Sequence, residues 1–167
     1  MSTELPIIVD LEASGFGCNS YPIEIGIALP TGKTECILIR PEADWSHWTR
    51  ESEKLHGIRR EQLIQFGRPV AEVADRVNQL LAGKTAYTDG WGVDQGWLNL
   101  LFDCAHRRPR FRLEALQSLF TEQYFDIWDT IKNRIFSEVD FPRHRASNDA
   151  RVLQLTYLEA QLQTQQL

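Results

Sequence analysis

The sequence predicts an α/β protein, a mixed five-stranded sheet flanked by helices. Two apolar runs near the N-terminus are joined by a turn-forming Pro-Thr-Gly-Lys, which reads as a hairpin. Two segments with helical apolar spacing are each followed by a short strand-like run, and a third helical stretch closes the chain.

Taken in order, Leu5 to Glu12 reads as a buried strand, apolar until its two carboxylates. Ile23 to Leu29 and Glu35 to Arg40 are the hairpin strands around Pro30-Thr31-Gly32-Lys33. Residues 41–66, rich in Trp, His and charge, read as short helices and loops. Val70, Val73, Ala74, Val77, Leu80 and Leu81 recur at helical spacing until Gly83 stops the run. Lys84 to Thr88 reads as a strand, Asp89-Gly90-Trp91-Gly92 as a turn, and Val93 to His106 as a helix with Leu98, Leu101, Phe102 and Ala105 on its apolar stripe. Phe111 to Leu113 is a last short strand. Mixed helical segments then lead to Phe141-Pro142, and a helix from Ala146 towards Gln163 ends in a glutamine-rich stretch expected to fray.

With 167 residues, the chain suits one compact domain, residues 1–167, and is short for two. Hydrophobic residues at 43% and charged residues at 25% are those of a soluble globular protein. The start, MSTELPIIVDLEASG, has neither the basic head nor the apolar core of a signal peptide. No stretch approaches the roughly 20 apolar residues that span a bilayer. Cys18, Cys36 and Cys104 are odd in number and lack metal-ligand spacing, so a reduced cytoplasmic setting is expected. A net charge of −5 argues against coating nucleic acid by bulk electrostatics, but does not exclude a nucleic-acid enzyme with some of those charges as metal ligands. Local cations remain: Arg107, Arg108, Arg110 and Arg112 in one cluster, Arg143, Arg145 and Arg151 in another, although a solvated basic surface is the commoner reason for such runs.

The chemistry lies in scattered acids and one histidine. Asp10 and Glu12, two apart on a strand, point to one face. Two carboxylates there repel unless a hard cation neutralises them, whereas a single one would be only a solvated strand end. Asp94 opens a helix, where an acid also simply complements the dipole. Asp89 and Asp103 compete with it, and spacing does not choose. His144 and Asp149 converge if the histidine lies on the loop after Pro142 and the aspartate in the first helical turn. Taken singly, His144 reads as a surface or capping residue.

Together these residues resemble the DEDDh 3′–5′ exonucleases, relatives of the DNA polymerase III proofreading subunit, ribonuclease T and oligoribonuclease. VDLEASGFG is similar to the first motif, VDQGWL to the second, and HRASNDARVL to the third, His-x4-Asp, in the right order over residues 7 to about 158. The second motif selects Asp94 over Asp89. The branch that carries tyrosine instead would place it at position 145, which is Arg145 here.

The resemblance implies a ribonuclease H-like fold. It also implies that Asp10, Glu12, Asp94 and Asp149 hold two Mg²⁺ or Mn²⁺ ions, with His144 as general base for the attacking water. The implied substrate is the 3′ end of single-stranded DNA or RNA. Substrate contacts fall on Ser14 and Phe16 of the glycine turn, on His56 and Ile58 of Leu-His-Gly-Ile, and on Trp91 as a stacking face, with Phe16 as a wedge against the terminal bases. Core packing is an equal reading for Phe16 and Ile58, and the better one for Trp97. Two positions depart from the pattern: Ala13 stands where a hydroxyl residue is common, and Thr88-Asp89-Gly90 where His-Asn is usual. A homodimer, with the Arg107–Arg112 cluster acting in trans, is a further implication. The alternatives are a phosphodiesterase of short oligonucleotides, or a nucleic-acid-binding protein with the same fold and little turnover.

Overall fold

The computed structural model describes residues 4–165. Five strands form one mixed sheet: β1 Ile7–Ala13, β2 Pro22–Ala28, β3 Thr34–Leu38, β4 Thr85–Thr88 and β5 Arg112–Ala115, in the order β3-β2-β1-β4-β5. The first three are antiparallel neighbours, while β4 runs parallel to both β1 and β5. Helices α1 Arg50–His56, α2 Arg60–Phe66, α3 Val70–Leu81, α4 Trp91–Cys104, α5 Glu122–Glu138 and α6 Ala146–Thr164 surround it. No helix among the described residues is long and apolar enough to cross a membrane.

Side-chain alternation along β1 divides the protein into two layers. Ile7, Val9 and Leu11 join Ile23, Ile25 and Ile27 in the main core, under Val73, Val77 and Leu81 of α3 and Leu98, Leu101 and Phe102 of α4. Ile8 faces the other way, with Ala28, Trp128, Ala150 and Leu153. Asp10 and Glu12 have the parity of Ile8 and therefore lie on the face that α5 and α6 cover.

The hairpin turn forms as expected: the Leu29 N–H donates to the Lys33 carbonyl at 2.8 Å, and the Gly32 N–H to the Leu29 carbonyl at 2.8 Å. Two elements differ from expectation. Helix α4 starts at Trp91, two residues early, because Gly90 ends the turn and its carbonyl accepts from both Val93 and Asp94. The mixed helical segments before Phe141 resolve into a short 3-10 helix, Leu116–Leu119, and one 17-residue helix, α5, whose buried Tyr124, Trp128, Ile131 and Ile135 keep a single apolar stripe. The glutamine-rich end of α6 is helical to Thr164.

Candidate active site

Glu12, near the end of β1, pairs across the sheet with Glu24 of β2, and Asp10 with Gly26. Residues directly opposite share a face, so Gly26 leaves open space beside Asp10. The first turn of α6 fills it. A Cβ on residue 26 would overlap the Ala146 carbonyl carbon and the Ser147 nitrogen. This contact lowers Asp149, in that first turn, towards the β1 carboxylates.

His144 lies on the loop before α6 with φ +57°, a left-handed conformation uncommon for a residue with a side chain. Its backbone N–H donates to Asp149 Oδ2 at 3.1 Å, while Asp149 Oδ1 is buried without a partner among the described residues. Ligand-capable atoms of Glu12, His144 and Asp149 lie within 4.8 Å of one another. Asp94 approaches from the first turn of α4. Only 4% exposed, it accepts a hydrogen bond from the Thr88 hydroxyl at the end of β4.

These groups line one cleft of about 310 Å³, with Asp10, Glu12, Asp94, His144 and Asp149 inside it and Phe16, Leu55, His56, Val93 and Trp97 around it. Larger hollows of about 520 Å³ beside His47 and about 600 Å³ beside Arg107 each contain a single carboxylate.

The electrostatics of the cleft are unfavourable as it stands. Burial pushes the Asp10 carboxyl well up, and the charges of Asp94, Glu12 and Asp149 push it further. Glu12 is raised to about 8 by burial, then by Asp149, Glu24 and Asp94. Asp94 is raised to about 7, burial prevailing over the Thr88 hydrogen bond. Burial raises Asp149 as well, against the pull of His144. Desolvated, mutually repelling carboxylates with an unpartnered oxygen are an all-oxygen donor set suited to a hard divalent cation. The residues therefore fit the metal ions that the sequence pattern implies.

The structure separates the other expected residues. Phe16 is 72% exposed at the cleft rim, while Trp97, 6.2 Å away between ring centroids, packs partly buried against the main core and also lines the cleft. His56 lines the cleft wall. Its Nδ1 accepts the Ile58 N–H at 3.0 Å, which leaves the proton on Nε2, and that buried nitrogen has no partner among the described residues. Burial lowers the His56 pKa and holds the ring neutral.

Ile58, Ser14 and Trp91 do not line this cleft. Ile58 packs in the main core because Gly57, at φ +69°, caps α1 and turns the chain inward. Ser14 is buried, its hydroxyl bonded to His47 Nδ1 at 2.9 Å and accepting from the Tyr21 N–H at 3.1 Å. The Trp91 indole N–H donates to the Leu113 carbonyl at 3.2 Å, tying the start of α4 to β5. Asp89 lies close enough to raise Asp10 and Asp94 but outside the cleft lining, and Asp103 is exposed near the far end of α4.

Three residues that the sequence did not single out matter here. Leu55 and Val93 line the rim, and Glu24, wholly buried on β2, engages Arg145 and the start of α6.

No family model matches the chain, and no curated protein matches it by sequence. By structure it is similar to exonuclease I of E. coli in complex with a dA16 oligonucleotide, with TM-score 0.73 and 12% identity over 97% of this chain and 41% of that one. It is also similar to the zinc-bound form of the E. coli exonuclease I complex with single-stranded DNA, with TM-score 0.72, 13% identity and coverage of 99% and 41%. A 3′-exonuclease that recognises the 3′ end of the histone mRNA stem-loop aligns with TM-score 0.69 and 15% identity over 97% of this chain and 82% of that one. The chain thus spans about two fifths of the exonuclease I chains. The fold is the ribonuclease H-like fold of these exonucleases.

Proposed function

We propose that this chain is a metal-dependent 3′–5′ exonuclease that hydrolyses phosphodiester bonds at the 3′ end of single-stranded DNA or RNA. The carrying observation is the gathering of Asp10, Glu12, Asp94, Asp149 and His144 in one cleft, on a fold shared with an oligonucleotide-bound exonuclease and an RNA 3′-exonuclease. Asp10, Glu12, Asp94 and Asp149 would hold two Mg²⁺ or Mn²⁺ ions. Such ions, when bound, neutralise charge and act as Lewis acids in displacement at phosphorus.

The remaining work falls to the chain. His144, its backbone fixed to Asp149, takes the proton of the attacking water at its imidazole. Phe16, Leu55, Val93 and Trp97 form an apolar rim that accepts an unstacked base, which favours a single strand over a duplex. The neutral His56 donates from Nε2 to an acceptor oxygen of the terminal nucleotide, a partner that its burial otherwise denies it.

The test is degradation of 3′- and 5′-labelled single-stranded DNA and RNA with Mg²⁺ or Mn²⁺, beside Asp10→Ala. Metal-dependent shortening from the 3′ end, absent in the variant, is expected. Cleavage confined to strands of a few nucleotides would replace this reading with a short-oligonucleotide phosphodiesterase. No cleavage of any length would overturn it.

A further inference from the structure

Glu24 is a carboxylate outside the cleft lining, across the sheet from Glu12, and its surroundings differ from those of the four inside the cleft. It lies directly across the β1–β2 ladder from Glu12, where two like charges destabilise the sheet. Yet it is 0% exposed, deeper than Glu12, and both of its oxygens are engaged. Arg145 Nη2 donates to Oε2 at 2.7 Å, and Arg145 Nε reaches Oε2 at 3.1 Å and Oε1 at 3.2 Å. The Ala146 backbone N–H donates to Oε1 at 2.7 Å. Helix α6 has no side-chain cap of its own, so Glu24, over 120 positions earlier, serves as its N-terminal acceptor.

We propose that Glu24 is the positioning residue for the third motif and not a metal ligand; the inference rests on the hydrolytic reading above. The clamp grips residues 145 and 146, between left-handed His144 and helical Asp149. It fixes the one stretch where the chain turns from loop to helix. Gly26, two residues on along β2, brings the same turn into contact with the strand. Glu24 and Gly26 therefore set the direction and height at which His144 and Asp149 meet Asp10 and Glu12. Both Glu24 oxygens accept from Arg145 and Ala146, and the residue lies outside the lining of the cleft that holds the other carboxylates.

The test uses Glu24→Gln, which keeps an oxygen for the Ala146 N–H and removes the charge that holds Arg145. Arg145→Lys and Arg145→Met, and the double variant Glu24→Gln with Arg145→Met, complete the set. Three quantities are read: Mn²⁺ affinity by calorimetry without substrate, kcat and KM on single-stranded DNA, and amide hydrogen exchange across residues 143–150.

Glu24→Gln is expected to weaken Mn²⁺ binding and lower kcat by about 10–100-fold with KM unchanged, as losses around a metal site typically do. Exchange should rise at 143–150 and not in β1 or β4. Arg145→Lys should fall between wild type and Arg145→Met, and the double variant should be no worse than Arg145→Met alone. Wild-type Mn²⁺ affinity and wild-type exchange at 143–150 in Glu24→Gln would overturn the proposal. So would a uniform rise in exchange throughout the sheet, which marks plain destabilisation. A wild-type chain that binds no Mn²⁺ and cleaves no strand would overturn the hydrolytic reading instead, while the exchange pattern would still decide whether Glu24 fixes this segment.

Discussion

The backbone N–H of His144 donates to Asp149 Oδ2 at 3.1 Å, while the Oδ1 of the same carboxylate is buried and has no partner among the described residues. One side chain thereby ties the loop to the helix and keeps an oxygen free for the cleft. The bond needs the left-handed turn at His144, which sends the backbone N–H back over the first turn of α6.

That geometry separates the imidazole from the backbone it rides on. His144→Ala and His144→Asn both remove the base and should lower kcat by about 10²–10⁴-fold, with Mn²⁺ affinity falling much less. Asparagine tolerates the left-handed region, so His144→Asn should melt close to wild type. His144→Val should be less stable by about 1–2 kcal/mol, because a β-branched residue resists φ +57°. Rate assays beside thermal melts check this, and an active His144→Asn would remove the histidine from the mechanism.

The charged form of Asp10 is opposed first by burial and then by the charges of Asp94, Glu12 and Asp149. Asp10→Asn removes both the buried charge and that repulsion, so the metal-free variant should melt above wild type at pH 8, by about 2–4 °C per kcal/mol gained. Turnover should fall roughly 10³-fold, as losing several kcal/mol of transition-state stabilisation would require. A variant that loses both stability and activity would show a structural aspartate instead.

Phe16, with most of its ring in solvent, contributes little to folding. Phe16→Ala should change stability by under about 0.5 kcal/mol. It should raise KM for a single strand by roughly tenfold, the low end of one base-stacking contact, and leave a small chromogenic phosphodiester unaffected. Equal losses on both substrates would place Phe16 in the chemistry and not in strand binding.

How much of this could be read from the sequence depended on whether a residue's neighbours were local. The loop before the last helix was legible because Pro142 breaks the chain there, a purely local boundary, but the pairing of His144 with Asp149 came from the family pattern. Asp94 needed the family pattern, since Asp89 has an equal dipole argument and only the fold places it outside the cleft lining. Trp91 and Ser14 lie outside the cleft lining because their hydrogen bonds run to Leu113 and to His47 and Tyr21, partners that no spacing rule reveals. Glu24 did leave a signal: one charge inside the run Ile23 to Ile27 has to be paired when the strand is buried. The stripe of α5 was also present, at Tyr124, Trp128, Ile131 and Ile135, with spacings of four, three and four.

The contact between Gly26 and α6 admits no side chain. A Cβ at 26 would overlap backbone atoms of Ala146 and Ser147, which cannot swing aside as a flexible side chain could. Gly26→Ala should cost about 3 kcal/mol in a denaturant melt. At temperatures where it stays folded, it should also weaken Mn²⁺ binding, because the helix that carries Asp149 is lifted. A stability loss with metal affinity intact would mean that the helix slides without moving Asp149.

The raised carboxyls set the pH behaviour of the metal-free protein. Unfolded, such acids ionise near pH 4. Folded, Glu12 holds its proton up to about 8 and Asp94 up to about 7, burial being the largest cause for each. Between those limits the native state binds more protons than the unfolded chain, so rising pH favours unfolding. Stability should fall from about pH 4.5 to pH 8, by up to about 1.4 kcal/mol per pH unit for each group in its window. Below the window the penalty is absent, and above it the penalty is complete. Glu12→Gln should flatten the upper part of the slope, since an amide does not titrate. Added Mg²⁺ should oppose the slope, because it binds only the deprotonated carboxylates, and most tightly where the metal-free protein is weakest. Thermal scans from pH 5 to 9, with chelator and with Mg²⁺, decide it. A melting temperature that rises with pH in chelator would mean that these carboxylates are not repelling one another, and the case for a cation between them would lose its physical basis.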